Sequence, residues 1–210
     1  MLWTGGKDSA LAFEAVRRDH HKVRELVTFV PEGGRFLAHP LDLMDAQAAS
    51  IGLPHRRVVI RPPYKDGYES VILQLREQGV TTLVTGDISE VNDQENWILE
   101  RAQAVGVKVH RPLWHRERRQ ILEDLLDWGI QAVITAAREP PLGPQWVGRN
   151  LDVDAVNQLQ GLSSIGVLDL CGEQGEYHTF VFDSPSFRTP IRIPSFTRDR
   201  VGNLHYADFH

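Results

Sequence analysis

The sequence predicts an α/β fold, a mostly parallel sheet flanked by helices with a smaller C-terminal α+β appendage, and three observations predict it. The first is a recurring glycine-aliphatic step, Gly52-Leu53, Gly79-Val80, Gly106-Val107 and Gly129-Ile130, at intervals of 27, 27 and 23 residues. Each step closes a helical pattern and opens a strand pattern, and the interval fits one helix, one strand and two short loops. The second is that Leu26-Val27-Thr28-Phe29-Val30, Thr82-Leu83-Val84-Thr85 and Ala132-Val133-Ile134-Thr135 are nearly continuous in apolar or β-branched residues. Strands covered by helices on both faces have this composition. The third is a change of texture near position 139, where helical periodicity gives way to short segments and six of the 12 prolines fall in the last 71 residues.

Reading outward from the glycines predicts helices at 10–18, 41–50, 66–78, 93–105 and 117–128, and strands at 25–30, 57–60, 82–85, 107–111 and 131–135. A strand ahead of the first helix has only Met1, Leu2 and Trp3 to draw on. Strands usually run to about five residues, so native residues ahead of Met1 are expected. Residues 1–138 read as the nucleotide-type domain and 139–210 as the appendage, with a helix at 153–160 and short strands at 179–182, 191–193 and 204–206. Trp97 and Trp128, on helical apolar faces, are assigned to the core, and the arginine-rich run at 116–119 to a solvated helix start.

Composition excludes several classes. The 210 residues are 41% hydrophobic and 24% charged with a net charge of −5, which gives length enough for a real core and no basic excess for nucleic acid. A single cysteine, Cys171, excludes an internal disulfide framework, a paired-cysteine zinc site and sulfur transfer by two thiols, and places the chain in the cytoplasm. No stretch approaches the roughly 18 apolar residues of a membrane span.

The chemistry concentrates in two segments. Residues 4–9 read Thr-Gly-Gly-Lys-Asp-Ser directly before a helix. Two glycines bring backbone N–H groups close to an anion, the helix N-terminus adds partial positive charge and Lys7 a full one, so the loop reads as a phosphate site. It is not a Walker A loop, because Asp8 separates Lys7 from Ser9. A carboxylate beside phosphates fits a magnesium ion. Gly86-Asp87 follows a strand, at the sheet end where such folds bind ligands. The alternative is a Gly-Gly turn capped by Asp8 or Ser9. The second segment, Cys171-Gly-Glu-Gln-Gly-Glu-Tyr-His-Thr179, crowds polar groups around two glycines as a binding loop does. Its alternatives are a glycine turn with Glu176 and His178 in water, and Cys171 as a small buried hydrophobe.

These residues resemble a known family. Thr-Gly-Gly-Lys-Asp-Ser is similar to the Ser-Gly-Gly-x-Asp-Ser signature of the ATP pyrophosphatases, or PP-loop enzymes, with Thr4 in place of the first serine. Gly86-Asp87-Ile88, Pro112-Leu113-Trp114, Trp146-Val147-Gly148-Arg149 and Gly172-Glu-Gln-Gly-Glu-Tyr-His-Thr-Phe180, in this order, resemble the diphthine-ammonia ligase family over nearly the whole chain. The resemblance implies an adenine nucleotide alpha hydrolase-like, Rossmann-like PP-loop domain. It implies an ATP-dependent amide ligase: a substrate carboxylate attacks the α-phosphorus, pyrophosphate leaves, and ammonia displaces AMP.

By the same resemblance Thr4, Gly5, Gly6, Lys7, Asp8, Ser9, Phe29, His39, Gly86 and Asp87 hold ATP, with Asp8 and Asp87 near Mg2+. Lys7, Asp8, Glu173, Glu176 and His178 are the catalytic candidates, and the choice of base among the last three stays open. Asn96, Trp146, Gly148, Arg149, Gly172, Glu173, Gly175, Glu176, Tyr177 and Thr179 are assigned to the substrate. The implied partners are ATP, ammonia and a carboxylate, diphthine on elongation factor 2 or a related acid, with a homodimer left open. Asn92-Asp93 stands where relatives tend to be basic, which bears on substrate charge. Two other readings compete: a PP-loop enzyme acting on another acid or on tRNA, and a non-catalytic nucleotide sensor.

Overall fold

The computed structural model describes residues 1–34, 36–90 and 96–210. Six helices and eight strands are described: α1 (Lys7–Arg18), β1 (Leu26–Pro31), α2 (Leu41–Ile51), β2 (His55–Ile60), α3 (Tyr64–Glu77), β3 (Thr82–Val84), α4 (Trp97–Ala104), β4 (Lys108–His110), α5 (Arg118–Asp127), β5 (Gln131–Arg138), α6 (Val153–Ser164), β6 (Tyr177–Asp183), β7 (Phe196–Val201) and β8 (Leu204–Phe209). The beginning of the helix expected at 93, and the Asn92-Asp93 pair, lie outside the described residues.

The expected glycine stops share one geometry. Gly52, Gly79, Gly106 and Gly129 all have positive φ, between 72° and 89°. In each case the following aliphatic N–H donates to a carbonyl five residues back, as from Leu53 to Ala48 and from Ile130 to Leu125. This is the Schellman stop, and the aliphatic residue seals the helix end while starting the next strand.

β1 pairs in parallel with β2, and β3 with β4. The chain start lies between the pairs: the Leu2 N–H donates to the Val84 carbonyl, the Trp3 N–H to the Val27 carbonyl and the Val27 N–H to the Met1 carbonyl. The parallel strands therefore run β2, β1, residues 1–3, β3, β4, and the strand order reverses beside residues 1–3, where ligands bind in open α/β sheets.

The structure corrects the assignment of β5. It belongs to an antiparallel sheet of order β6-β5-β8-β7, not to the parallel array. Its apolar run is buried on both faces in either setting, so composition did not distinguish them. Residues 191–193 form no strand, a second correction. The missed edge strand β7, Phe-Thr-Arg-Asp-Arg-Val, is largely exposed and charged, as edges that resist aggregation are. Its signal was the Gly202-Asn203 pair that turns it into β8. Trp97 is 45% exposed rather than core, with the Arg101 guanidinium 4.7 Å from its ring centroid.

One apolar cluster runs through both parts of the chain, from Trp3, Leu11 and Phe13 to Ile134, Trp146 and Val181. β6 is the seam. The Val181 N–H donates to the Gly5 carbonyl at 2.9 Å, and the Lys7 N–H donates to Thr179 Oγ1 at 3.0 Å. The register of β6 shifts on β5 between Ile134 and Ala136, opposite Thr179 and His178, and such bulges re-aim side chains beside sites.

Candidate functional site

The loop at 4–9 is shaped by close packing from three sides. Gly5 has φ +73°, and a Cβ there would stand 2.7 Å from Gln47 Oε1. Gln47 is fully buried and explains why: its Nε2 donates to the Gly5 and Val181 carbonyls, and its Oε1 accepts from Trp3 Nε1. From β3, a Cβ at Gly86 would lie 2.6 Å from the Asp8 carbonyl carbon and 2.8 Å from the Ser9 nitrogen, so only glycine lets the two loops touch. Gly6 caps α1 without a side-chain bond. The Ser9 hydroxyl braces the turn by donating to the Gly6 carbonyl and accepting from Thr4 Oγ1.

A cavity of about 350 Å³ opens above this loop. Thr4, Asp8 and Ser9 form one side, Thr85, Gly86 and Asp87 another, and Phe29, Phe36 and Tyr68 an aromatic wall. The Phe29 and Tyr68 rings pack tilted at 38°, with centroids 4.4 Å apart. Such a wall suits a planar base, and the loop suits its phosphates. Asp87 Oδ2 is held by Thr85 Oγ1 at 2.8 Å and by Asn96 Nδ2 at 2.6 Å, while Asn96 Oδ1 caps α4. Asp8 Oδ1 is buried with no protein partner. Among the described residues no three acidic, histidine or cysteine side chains form a metal cluster by themselves. Two carboxylates with an orphaned oxygen fit a hard cation that arrives with phosphate oxygens.

A second cavity, of about 330 Å³, lies on the other side of the loop. His39, Cys171, Glu173, His178 and Thr179 are among its lining residues, and Thr4, Asp8 and Glu173 line both cavities. Lys7 lines only the second. Its Nζ donates to Asp8 Oδ2 at 2.8 Å and to the Cys171 carbonyl at 2.6 Å, 5.3 Å from the centroid of the Tyr177 ring. Burial is the largest single influence and opposes its charge, but Asp8, Tyr177 and Cys171 together outweigh it and hold the ammonium well above its usual range. Glu173 behaves in the opposite way. Burial, then the charge of Asp8, pushes its carboxyl up to about 7, with Lys7 pulling back. The Cys171 thiol is pushed up to about 12, chiefly by burial, which leaves it inert near neutral pH.

Other expected site residues serve the frame, among them Gly172, Gly175 and Tyr177, which also line the second cavity. Glu176 lines neither cavity; its carboxylate is buried and accepts the Asp169 and Gln174 N–H groups at 2.8 and 3.0 Å, tying the loop ahead of β6. The Tyr177 hydroxyl donates to the Leu170 carbonyl. Gly172 and Gly175 turn that loop with φ +77° each. Trp146, Gly148 and Arg149 are outside both cavities: Trp146 is in the core, Gly148 is packed against the Phe196 ring, and Arg149 binds Asp154 and Gln158. His39 faces the second cavity and not the first. Sequence reasoning missed Phe36, Tyr68 and Gln47, and also the Arg118 strut, which joins Ser89 after β3 to Asp169 before Glu173. Of these only Gln47 carried a signal, an amide on the apolar face of α2 beside Met44 and Ala48.

Residues 1–109 match the family model described as the diphthamide synthase N-terminal domain, and residues 117–208 the one described as the diphthamide synthase C-terminal domain. The chain is 26% identical over 221 residues to a protein of Bos taurus named diphthine–ammonia ligase, covering 92% of this chain and 82% of that one. The protein of the same name from Homo sapiens is 25% identical with the same coverage. A solved structure titled as a predicted subunit of tRNA methyltransferase from Methanocaldococcus jannaschii overlaps 88% of this chain and 95% of that chain at 13% identity and a TM-score of 0.45, too low to carry an argument. No helix among the described residues is long and apolar enough to cross a membrane.

Proposed function

The chain belongs to the diphthamide synthase family, and from that premise we propose that it is an ATP-dependent ligase that adenylates the carboxylate of diphthine on elongation factor 2 and amidates it with ammonia. The observation that carries this reading is the pair of cavities meeting at Thr4, Asp8 and Glu173. An acyl-adenylate needs such a layout, with the nucleotide on one side, the acyl group on the other and the reacting bonds at the shared wall.

In this reading the first cavity is the nucleotide site of a PP-loop domain. Phe29, Phe36 and Tyr68 take the adenine, and Thr4, Gly5, Gly6 and Ser9 with the N-terminus of α1 hold the phosphates. Asp8 and Asp87 hold Mg2+, which when bound offsets phosphate charge. Lys7 fixes Asp8 and ties the Cys171 loop down, so its catalytic part is positioning. Hydroxide is a poor leaving group and AMP a good one, so adenylation removes the main barrier and the protein supplies orientation and charge.

Amidation then releases two protons for each ammonium consumed. The first leaves ammonium, the C–N bond forms, the C–O bond to AMP breaks, and the second proton leaves the adduct nitrogen. Glu173, tuned to about 7, is placed to accept the first. His178, whose imidazole is held neutral by burial and then by the charges of Lys7 and Arg138, accepts the second. We place the reaction in the cytosol, on the single, buried and unpaired cysteine.

The test is incubation with radiolabelled ATP, magnesium and ammonium, with and without elongation factor 2 bearing diphthine. AMP and pyrophosphate only in the presence of that acceptor are expected; ADP, or no turnover, refutes the proposal.

A further inference from the structure

Amidation, on the ligase reading, needs the Glu173 carboxylate held at a fixed place relative to a nucleotide bound in the other cavity. Resting on that reading, we infer that Arg118 is a positioning residue for amidation: acting through Asp169, its guanidinium holds the segment that carries Glu173 in register with the loop after β3 that carries Asp87.

Arg118 opens α5, and the helix itself does not call for a cation there. The first turn of α5 holds two arginines and no acidic residue, against the helix dipole. The Arg119 side chain is 62% exposed and pairs with Glu123 one turn on, as a solvated helix start does, whereas that of Arg118 is 25% exposed and reaches between two loops. It stands on a rigid base. The Glu117 carboxylate caps the helix by accepting the Arg119 and Gln120 N–H groups, and Ile121, Leu122 and Leu125 are fully buried.

The guanidinium forks. Its Nη2 donates to Ser89 Oγ at 2.7 Å, two residues past Asp87, and its Nε donates to Asp169 Oδ2 at 3.1 Å. The other oxygen of Asp169 accepts the Cys171 N–H at 2.8 Å and the Glu173 N–H at 3.3 Å, and the Asp169 carbonyl accepts the Gly172 N–H. The Cys171 thiol pins the same turn by donating to the Arg118 carbonyl at 3.5 Å. One carboxylate thus converts the position of the arginine into the position of the Glu173 backbone. Among the described residues no other side chain hydrogen-bonds both to residues 85–90 and to residues 169–176.

Stability does not account for this arrangement. An ion pair a quarter exposed contributes little to folding, because solvent screens it and two side chains lose freedom. Placement is another matter: a planar fork fixes two directions at once, which a point charge on a flexible stem does not. The guanidinium is also within electrostatic reach of the carboxyl that it places. After burial, Asp8 and Lys7, it is the next influence on Glu173, and it favours the charged form. Asp87 does not depend on the bridge, since Thr85 and Asn96 hold it.

Arg118→Met keeps the apolar stem and removes the fork. Amide formation is expected to fall about 10- to 100-fold in kcat while the KM for ATP stays within about threefold, and Arg118→Lys to recover part of the loss. Ser89→Ala cuts the same bridge at its other end, so adding it to Arg118→Met should slow the enzyme by less than about twofold more. A kcat within about twofold of wild type, a rise in the ATP KM that matches the loss in kcat, or losses that multiply in the double variant overturn the proposal. Hydrogen exchange on the full chain reads the loop without turnover: the Cys171 and Glu173 amides are expected to exchange at least about tenfold faster in Arg118→Met, with those of α6 unchanged. Equal rates in the two proteins, or faster exchange throughout, overturn it. If the wild type releases no AMP when offered the acceptor, the ligase reading falls, and the exchange rates still decide what Arg118 holds.

Discussion

Replacing Gln47 by leucine keeps the volume of a fully buried side chain and deletes its three hydrogen bonds. The Trp3 indole N–H, in a side chain only 1% exposed, loses its acceptor outright, which costs about 1–3 kcal/mol. The two carbonyls lose less, because an oxygen has a second lone pair and that of Gly5 still accepts the Val181 N–H at 2.9 Å. About 0.5 kcal/mol for each brings the total to about 2–4 kcal/mol. Urea unfolding followed by tryptophan fluorescence measures it directly. The same change frees the Gly5 carbonyl from α2, so ATP affinity by calorimetry should fall at least tenfold at a temperature where the variant is still folded. A loss of stability under about 1 kcal/mol with ATP affinity intact would refute the idea that this amide holds the phosphate loop.

Gly86→Ala places a methyl 2.6 Å from the Asp8 backbone, so one loop must move; ATP affinity should drop more than tenfold by calorimetry, and wild-type affinity would show the contact to be compliant. For Glu173, with a folded-state pKa near 7, amidation in the wild type should rise with pH through about 7 and level off. Glu173→Gln should be slower by about 10²–10⁴-fold and lack that limb; a variant retaining it would move the base elsewhere. Stability carries the matching sign. The raised pKa favours the folded state below about 4.5, and that contribution is lost as pH rises through about 7, so Glu173→Gln should raise Tm relative to wild type at pH 8 and not at pH 4. Glu176→Gln removes one of two acceptors for buried backbone N–H groups and should cost about 1.5–3 kcal/mol in thermal or urea melts; a loss below 0.5 kcal/mol, by order of magnitude, would mean the carboxylate does not tie the loop.

Local signals in the sequence reached as far as local physics decides the outcome. The glycine stops placed helix ends because a left-handed residue and a following aliphatic suffice to end a helix. The tight glycine loop at 4–9 was legible because its geometry is set by consecutive residues directly before α1. The partner of β5 was not, since Ala132-Val133-Ile134 buries equally well in either sheet and pairing depends on strands far along the chain. Glu173 and Glu176 are three positions apart and look interchangeable, yet one borders both cavities and the other is consumed by backbone N–H groups. Trp146 and Arg149 looked like a binding pair; in the fold the guanidinium stacks 4.6 Å from the indole centroid and spends its donors on α6.

The contacts of β6 with the loop at 4–9 bear on how such a site is inherited. Thr179 and Val181, alternate residues of one strand, bond to Lys7 and Gly5, while His178, the residue before them, lines the second cavity. A single-residue slip of that strand would exchange the two sets. Transplanting the loop into another scaffold, or swapping C-terminal halves between relatives, would therefore break the site unless residues 4–9 and 177–181 travel together.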